Sequence, residues 1–306
     1  MSSIANEIDG LWVQPTGAAL GADVFGVDIS QPLSDVHRDA IATAWAEHLV
    51  LRFSGHRLSD SQLMRFSRNF GDLDLAAIGT RTETSDLDSP ERYVTIISNV
   101  VVEGKPIGAL GSGESEWHTD MSYNEIPPRA SALYALEIPA SGGNTGFCNM
   151  YLAYDSLPEA TRQRVAGLTC IHDASLNSTG ALRRGYSEVT DPRETPGARH
   201  PLVRVHPVTG RKCLFLGRRR NAYILGLPVT ESEALLDTLW EHCRQPHLAW
   251  EQAWRTGDLI VWDNRCTMHR REEFAKSSRR LLHRTQITGE PVLSFASEAA
   301  MSAEPA

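Results

Sequence analysis

Hydrophobic and polar positions change their period several times along the chain, and the changes mark its elements. Leu11-Trp12-Val13-Gln14-Pro15, followed by Gly17, Gly21 and Gly26, predicts short strands punctuated by turns. Ser34 then caps a helix whose apolar positions Ile41, Ala44, Trp45 and Leu49 follow helical spacing. Val50-Leu51-Arg52-Phe53 predicts a strand, and Ser59 caps a second helix through Leu63, Phe66 and Phe70 to Gly71. Tyr93 to Val102 is rich in β-branched residues and predicts a strand, as do Ser131 to Ile138, Thr145 to Cys148 and Leu168 to His172. Tyr154 to Ala166 has helical periodicity. Leu202 to His206 and Cys213 to Gly217 form a hairpin across Pro207-Val208-Thr209-Gly210. Thr230 and Glu233 make a capping box for a helix through Arg244, and the last strands are Leu248 to Trp254, Asp258 to Asp263 and Leu281 to Thr288.

Three stretches break the pattern. Residues 76–92 are polar and turn-rich, 103–116 carry Gly104, Gly108, Gly111 and Gly113, and 174–200 lack periodicity. The second has the glycines of a phosphate loop but not its Lys-Ser/Thr, and no helix follows. An irregular segment as long as the third is usually a functional lid or disordered. All three are expected to be lid loops. Helices early and once late, short strands throughout and no βαβ alternation predict a mainly β (α+β) fold: an antiparallel sandwich or barrel with helices outside. No repeat or linker interrupts the chain, so residues 1–306 are expected to form one domain.

The formal charge of −8 at pH 7, from 30 basic and 38 acidic residues, argues against nucleic acid or an anionic membrane as partner. There is no apolar run of 18 residues and no signal-peptide pattern at the start. The five scattered cysteines without C-x-x-C are expected to be reduced, in a cytoplasmic protein. A homo-oligomer (dimer or tetramer) is among the expected assemblies.

The candidate chemistry begins at Trp117-His118-Thr119-Asp120, answered far downstream by Trp262-Asp263-Asn264-Arg265-Cys266-Thr267-Met268-His269. If His118 and Asp120 lie on a strand, they share a face, roughly 6.6–6.8 Å apart along the chain, and can converge on one ion. A third ligand from a remote strand completes a two-histidine, one-carboxylate set, which leaves metal positions open as a non-haem Fe(II) oxygenase requires. A second His-x-Asp, His37-Arg38-Asp39, sits in the first helix, where residues two apart diverge by about 200° and cannot share an ion. Arg280, Leu282 and Arg284 alternate on one strand face, placing two guanidiniums roughly 13–14 Å apart at Cα. Buried, they need anions to meet them, and arginine suits bidentate carboxylate capture. A small dicarboxylate reaching from an iron site would serve; two exposed salt-bridge arginines on an edge strand are the alternative.

The chain resembles the taurine/2,4-dichlorophenoxyacetate (TauD/TfdA) dioxygenase family of Fe(II)- and 2-oxoglutarate-dependent oxygenases. The resemblance rests on Gly17 to Leu33, Phe70-Gly71-Asp72-Leu73, His118-Thr119-Asp120, Gly142-Gly143-Asn144-Thr145, Gly210-Arg211-Lys212, Trp262-Asp263-Asn264-Arg265 and Arg280 to Arg284, in this order over nearly the whole chain. It implies a double-stranded β-helix (jelly roll) with flanking helices, and iron bound by His118, Asp120 and His269. It implies that Arg280, helped by the Thr145 hydroxyl, pairs with the distal carboxylate of 2-oxoglutarate. It places Arg284 near the cosubstrate's keto-acid end and the substrate's anionic group. It also implies O2 as second cosubstrate, with succinate and CO2 released.

Where taurine-acting members carry a histidine shortly after Phe-Gly-x-Leu, this chain has Asp74-Leu75-Ala76, which speaks against taurine. Where they have an aromatic pocket wall, it has Arg218-Arg219-Arg220-Asn221. Arg218 and Arg220 share one face, either as solvated surface or, with Arg284, as a clamp for a small anionic substrate: a carboxylate, sulfonate, sulfate ester or phosphonate. Trp117, Met121 and Tyr123 flank the ligand segment and are pocket-lining candidates. The rival readings are a non-catalytic jelly roll that binds metal or ligand, and a zinc hydrolase on the same ligands.

Overall fold

Both early helices start on the predicted serines. Ser34 Oγ accepts the His37 N–H at 3.1 Å and opens the helix Asp35–His48. Ser59 and Gln62 exchange side chain–backbone hydrogen bonds in the capping box that opens Asp60–Arg68. The box expected at Thr230 and Glu233 does not form. The helix Val229–Cys243 starts after Pro228, without a side-chain cap, so Thr230 already lies in its first turn. Glu233 turns instead to Arg219, 2.6 Å away. The helix expected over 154–166 is split into Met150–Asp155 and Glu159–Val165 by Pro158, whose ring and missing N–H cannot sit inside a helix.

The computed structural model describes residues 7–76, 84, 86–112 and 115–295. Twelve strands build its two main sheets. In chain order they are β1 (Trp12–Pro15), β2 (Ala22–Phe25), β3 (Val50–Phe53), β4 (Thr95–Ser98), β5 (Ala109–Leu110) and β6 (Ser115–His118). They continue as β7 (Ala130–Glu137), β8 (Thr145–Asn149), β9 (Ala249–Gln252), β10 (Leu259–Asp263), β11 (Thr267–Arg271) and β12 (Leu281–Ile287). The larger sheet runs β1-β2-β3-β10-β7-β12-β4-β5, and the smaller runs β9-β8-β11-β6. All pairings but β2–β3 and β4–β5 are antiparallel. The strand expected over 93–102 ends at Ser98; Val101–Val102 pairs with Lys105–Pro106 in a separate ribbon.

Alternation in the central strands feeds two cores. Ala130, Ala132 and Tyr134 of β7, with Leu259 and Val261 of β10, face outward onto Ile41, Trp45, Leu63 and Phe66 of the two early helices. Leu133, Ala135, Ile260, Trp262 and Leu282 face inward, onto Phe147 and Met268 of the smaller sheet. Because the sheet is covered on both sides, its strands read as continuous apolar runs. Each large side chain so buried contributes roughly 1.5–3 kcal/mol. The arrangement is the double-stranded β-helix with helices packed outside, and its inner face opens into the site. Of the expected lid loops, residues 77–83, 85 and 113–114 lie outside the described residues. Segment 174–200 crosses the inner face, where the Ala198 N–H donates to the Tyr123 carbonyl at 2.9 Å. Among the described residues no helix is long and apolar enough to cross a membrane. All five cysteines are free and buried.

Candidate active site

His118 and His269 are direct cross-strand partners on β6 and β11, which sets their rings 4.2 Å apart at the centroids. Asp120 arrives differently from the sequence expectation. β6 ends at His118, and a turn with Met121 at φ 46° folds the carboxylate back. Asp120 Oδ1 then lies 3.8 Å from His118 Nε2 and 3.9 Å from His269 Nε2. A turn achieves the convergence that a strand was expected to supply.

The surroundings fix each donor. His118 Nδ1 donates to the Glu116 carbonyl at 2.7 Å, leaving Nε2 with its lone pair toward the cluster. Ser131 Oγ donates to Asp120 Oδ2 at 2.8 Å. Asn264 clamps the turn from both sides: its Oδ1 accepts the Asp120 N–H, and its Nδ2 donates to the Asp120 and Pro128 carbonyls, all at 2.9 Å. His269 packs on Trp262 and Phe147. Burial pushes His269 down to about 4, against the pull of Asp120. Burial, reinforced by the charges of His269 and Arg218, holds His118 well below the usual histidine range. Burial opposes ionisation of Asp120, yet Arg284, followed by the two histidines, holds its carboxyl well below the usual range. At neutral pH the cluster is therefore two neutral imidazoles and one carboxylate, with donor atoms within 4.8 Å of one another. That donor set fits a divalent iron and covers one side of it.

The cluster lines a cavity of about 170 Å³. At one end sits Thr145, whose Oγ1 accepts the Trp254 Nε1–H at 2.9 Å, leaving its own proton to donate. Arg280 joins it, 2% exposed, with backbone held by Ser98 and Asn99 and no acidic partner among the described residues. Burial, and next the charge of Arg271, pushes Arg280 down to about 9. A cation kept there wants an anion. The two glycines before Thr145 make room for it. At Gly143 (φ +71°) a Cβ would lie 3.2 Å from the Arg280 side chain, and at Gly142 (φ +73°) 2.6 Å from the Glu273 carbonyl.

The other predicted residues separate. Arg284 opens on the same cavity as Arg280, but its Nη1 lies 3.2 Å from both oxygens of Asp120. Arg218 and Tyr123 line the cavity. Arg220 is exposed, at a side recess beside Ser178 and Gly180. Arg219 pairs with Glu233 and Asp237 on the helix Val229–Cys243. Trp117 is not in the cavity: next to His118 in β6, it points to the opposite face and stacks against Arg270 in a surface groove. A second cluster, His206, Asp263 and Cys266, is an internal network: both Asp263 oxygens are held by Arg265, His206 adds a third bond, and burial pushes the Cys266 thiol up. Sequence reasoning missed Ser131, Trp254, Arg183 and Arg271. Asn264 stood inside a quoted motif without a role.

The family model "Taurine catabolism dioxygenase TauD, TfdA family" matches residues 12–286. The chain belongs to this family. It is 35% identical over 300 residues to the alpha-ketoglutarate-dependent 2,4-dichlorophenoxyacetate dioxygenase of Cupriavidus pinatubonensis (strain JMP 134 / LMG 1197), covering 96% of this chain and 100% of that protein. It is 34% identical over 291 residues to the (S)-phenoxypropionate/alpha-ketoglutarate-dioxygenase of Delftia acidovorans, covering 92% and 96%. Among solved structures, AAD-2 in complex with Mn(II) and N-oxalylglycine superposes with a TM-score of 0.75 at 30% identity, over 92% of this chain and 99% of that one. The TauD/TfdA chain described here is thus an oxidoreductase, a dioxygenase dependent on Fe(II), 2-oxoglutarate and O2. The binding-module and zinc-hydrolase alternatives fall.

Proposed function

We propose that the protein hydroxylates a small organic anion (a carboxylate, sulfonate, sulfate ester or phosphonate), and that His118, Asp120 and His269 hold its iron. The observation that carries this reading is the juxtaposition in one cavity of the buried triad with Arg218 and Arg280, neither of which has an ion-paired carboxylate among the described residues. The 2,4-dichlorophenoxyacetate and (S)-phenoxypropionate named for its relatives are such anions.

Bound iron with 2-oxoglutarate supplies O2 activation coupled to decarboxylation of the cosubstrate, the chemistry that oxidises an unactivated C–H. The chain's own residues bind, orient and exclude water. Arg280 and the Thr145 hydroxyl take the distal carboxylate of 2-oxoglutarate, the one with charge and the other with a directed proton. Arg284 and Ser131 hold Asp120 at a fixed angle, with Arg284 also facing the keto-acid end. The lining between the two cationic ends is apolar, from Ile97, Leu133 and Met121, and suits a hydrocarbon body. A cavity below the roughly 300–1,000 Å³ usual for ligand pockets favours a small substrate. Residues 1–306 act as one domain, in the cytoplasm, with segment 174–200 as a lid over the cavity; five free buried thiols support that compartment.

The test is anaerobic. Fe(II) and then 2-oxoglutarate are added, and the weak visible charge-transfer band of the chelate is recorded. The band is expected in the wild type and not in His269→Ala. Metal binding without a band would remove the roles given to Arg280 and Thr145.

A further inference from the structure

Two guanidiniums on the Tyr123 side of the cavity remain without a function. Arg218, from the loop after the hairpin, has Nε and Nη1 buried with no hydrogen-bond partner among the described residues, and Arg183, from segment 174–200, lines the same cavity. Both pack on Tyr123, three residues after Asp120: the Arg183 carbon Cζ lies 4.0 Å and that of Arg218 5.6 Å from the ring centroid. Neither has a carboxylate within ion-pair distance among the described residues, and their charges repel. The nearby Asp173 is already engaged, accepting from Ser175 N–H and Oγ and from Asn221. Like charges at a partly buried site are unfavourable unless an anion lies between them.

Arg183 is built into position. Its N–H donates to the Ser175 carbonyl at 2.8 Å, Leu176 bridges Leu182, and Asn177 Oδ1 accepts the N–H groups of Thr179 and Ala181. The Ser178 carbonyl accepts the Glu116 N–H, tying this loop to β6. The other cations of the cavity lie elsewhere: Arg284 is paired with Asp120, Arg280 stands at the Thr145 end, and Arg271 is the cross-strand partner of Thr145.

We propose that Arg183 and Arg218, braced on Tyr123, form the clamp for the anionic head of the primary substrate, an organic oxyanion whose apolar body lies against Met121 and Leu133 beside the metal triad. The proposal rests on the dioxygenase reading of the site and deepens it by giving the substrate a direction: head at the Arg183 end, reacting carbon at the triad, cosubstrate carboxylate at Arg280. It replaces Arg220 and Arg284 with Arg183 as the partner of Arg218.

Anaerobic calorimetry on the Fe(II)- and 2-oxoglutarate-loaded full chain tests it, with the chelate band recorded on the same samples. The probes are 2,4-dichlorophenoxyacetate and hexyl sulfate, with the neutral 2,4-dichlorophenoxyacetamide as control. Arg183→Gln and Arg218→Gln are expected to keep the band and weaken the better-bound anionic probe at least ~30-fold. Arg183→Lys should recover part of the loss, and the amide should bind wild type and variants alike. The anionic arm that binds tells carboxylate from sulfate ester. Unchanged anion affinity in Arg183→Gln, with the band intact, overturns the clamp and leaves the oxygenase standing. Failure of both anions to bind wild type also overturns it. Arginine-dependent anion binding without a band keeps the clamp and removes the oxygenase assignment of the site.

Discussion

Ser131 shows how much of the site depends on residues that carry no obvious chemistry. Its hydroxyl donates to Asp120 Oδ2 at 2.8 Å, while Arg284 holds the same carboxylate from another side. A ligating carboxylate that loses one such support gains freedom to rotate, and partners of this kind are typically worth 10–100-fold in metal affinity or activity. Ser131→Ala is therefore expected to weaken Fe(II) binding about tenfold, measured by competition with a chelator, with little change in thermal midpoint. A variant with wild-type Fe(II) affinity would show that Arg284 alone orients Asp120. At this scale the sequence was informative about charged groups and silent about their supports. His118, Asp120, His269, Arg280 and Arg284 are conspicuous because charge and spacing set them apart. Ser131 is the second residue of a strand and Trp254 follows one, and nothing local in the sequence distinguishes them from ordinary core positions.

At the scale of elements, the ligand turn is registered by its neighbours. The Thr119 N–H donates to the Gly217 carbonyl at 3.2 Å, and Thr119 Oγ1 donates to the Leu216 carbonyl at 2.7 Å. The segment that follows the strand Lys212–Leu214 thus backs His118-Thr119-Asp120 directly. A Cβ at Gly217 would lie 2.5 Å from His172 Nδ1 and 2.7 Å from Ser122 Oγ, so something must shift. Overpacking of this kind costs about 1–3 kcal/mol. Here the shift is delivered to the turn carrying Asp120. Gly217→Ala is expected to lower stability by about that amount and to weaken Fe(II) binding beyond what the lost folded fraction explains. Equal losses in both would mean that the turn is held by Asn264 alone. The elements themselves were legible wherever periodicity and caps agreed, as at Ser34 and Ser59. They were misplaced where proline decided the boundary, at Pro158 and Pro228, because apolar spacing continues across a residue that the backbone cannot follow. The turn after His118 was read as strand because the approach of Gly217 and Asn264 is a long-range event.

Across the whole molecule, the two cores and the cavity between the sheets bury several histidines in neutral form, and this couples folding to pH. His172 is the clearest: it is 1% exposed, packed between His200 and Phe215, with neither ring nitrogen bonded to protein among the described residues. Burial, then the charges of His200, Arg218 and Arg204, holds its pKa well below the usual 6.5. Between that depressed value and about 6.5 the unfolded chain binds a proton that the folded chain refuses, so stability must fall as pH drops through this window. From pH 7.5 to 5.5 a single such histidine accounts for about 1.4 kcal/mol of lost stability. His200, likewise depressed by burial, acts in the same direction. The buried carboxylate of Asp263, held down chiefly by Arg265 against its own burial, adds nothing in this range. Its contribution is complete above the unfolded carboxylate pKa of roughly 4 and is lost only at lower pH. Urea unfolding at pH 7.5 and 5.5 separates these terms. His172→Phe, whatever it costs at pH 7.5, is expected to lose about 1.4 kcal/mol less than wild type on going to pH 5.5. An identical pH difference in the two proteins would mean that His172 takes up its proton without unfolding, through an opening of segment 174–200 over the cavity.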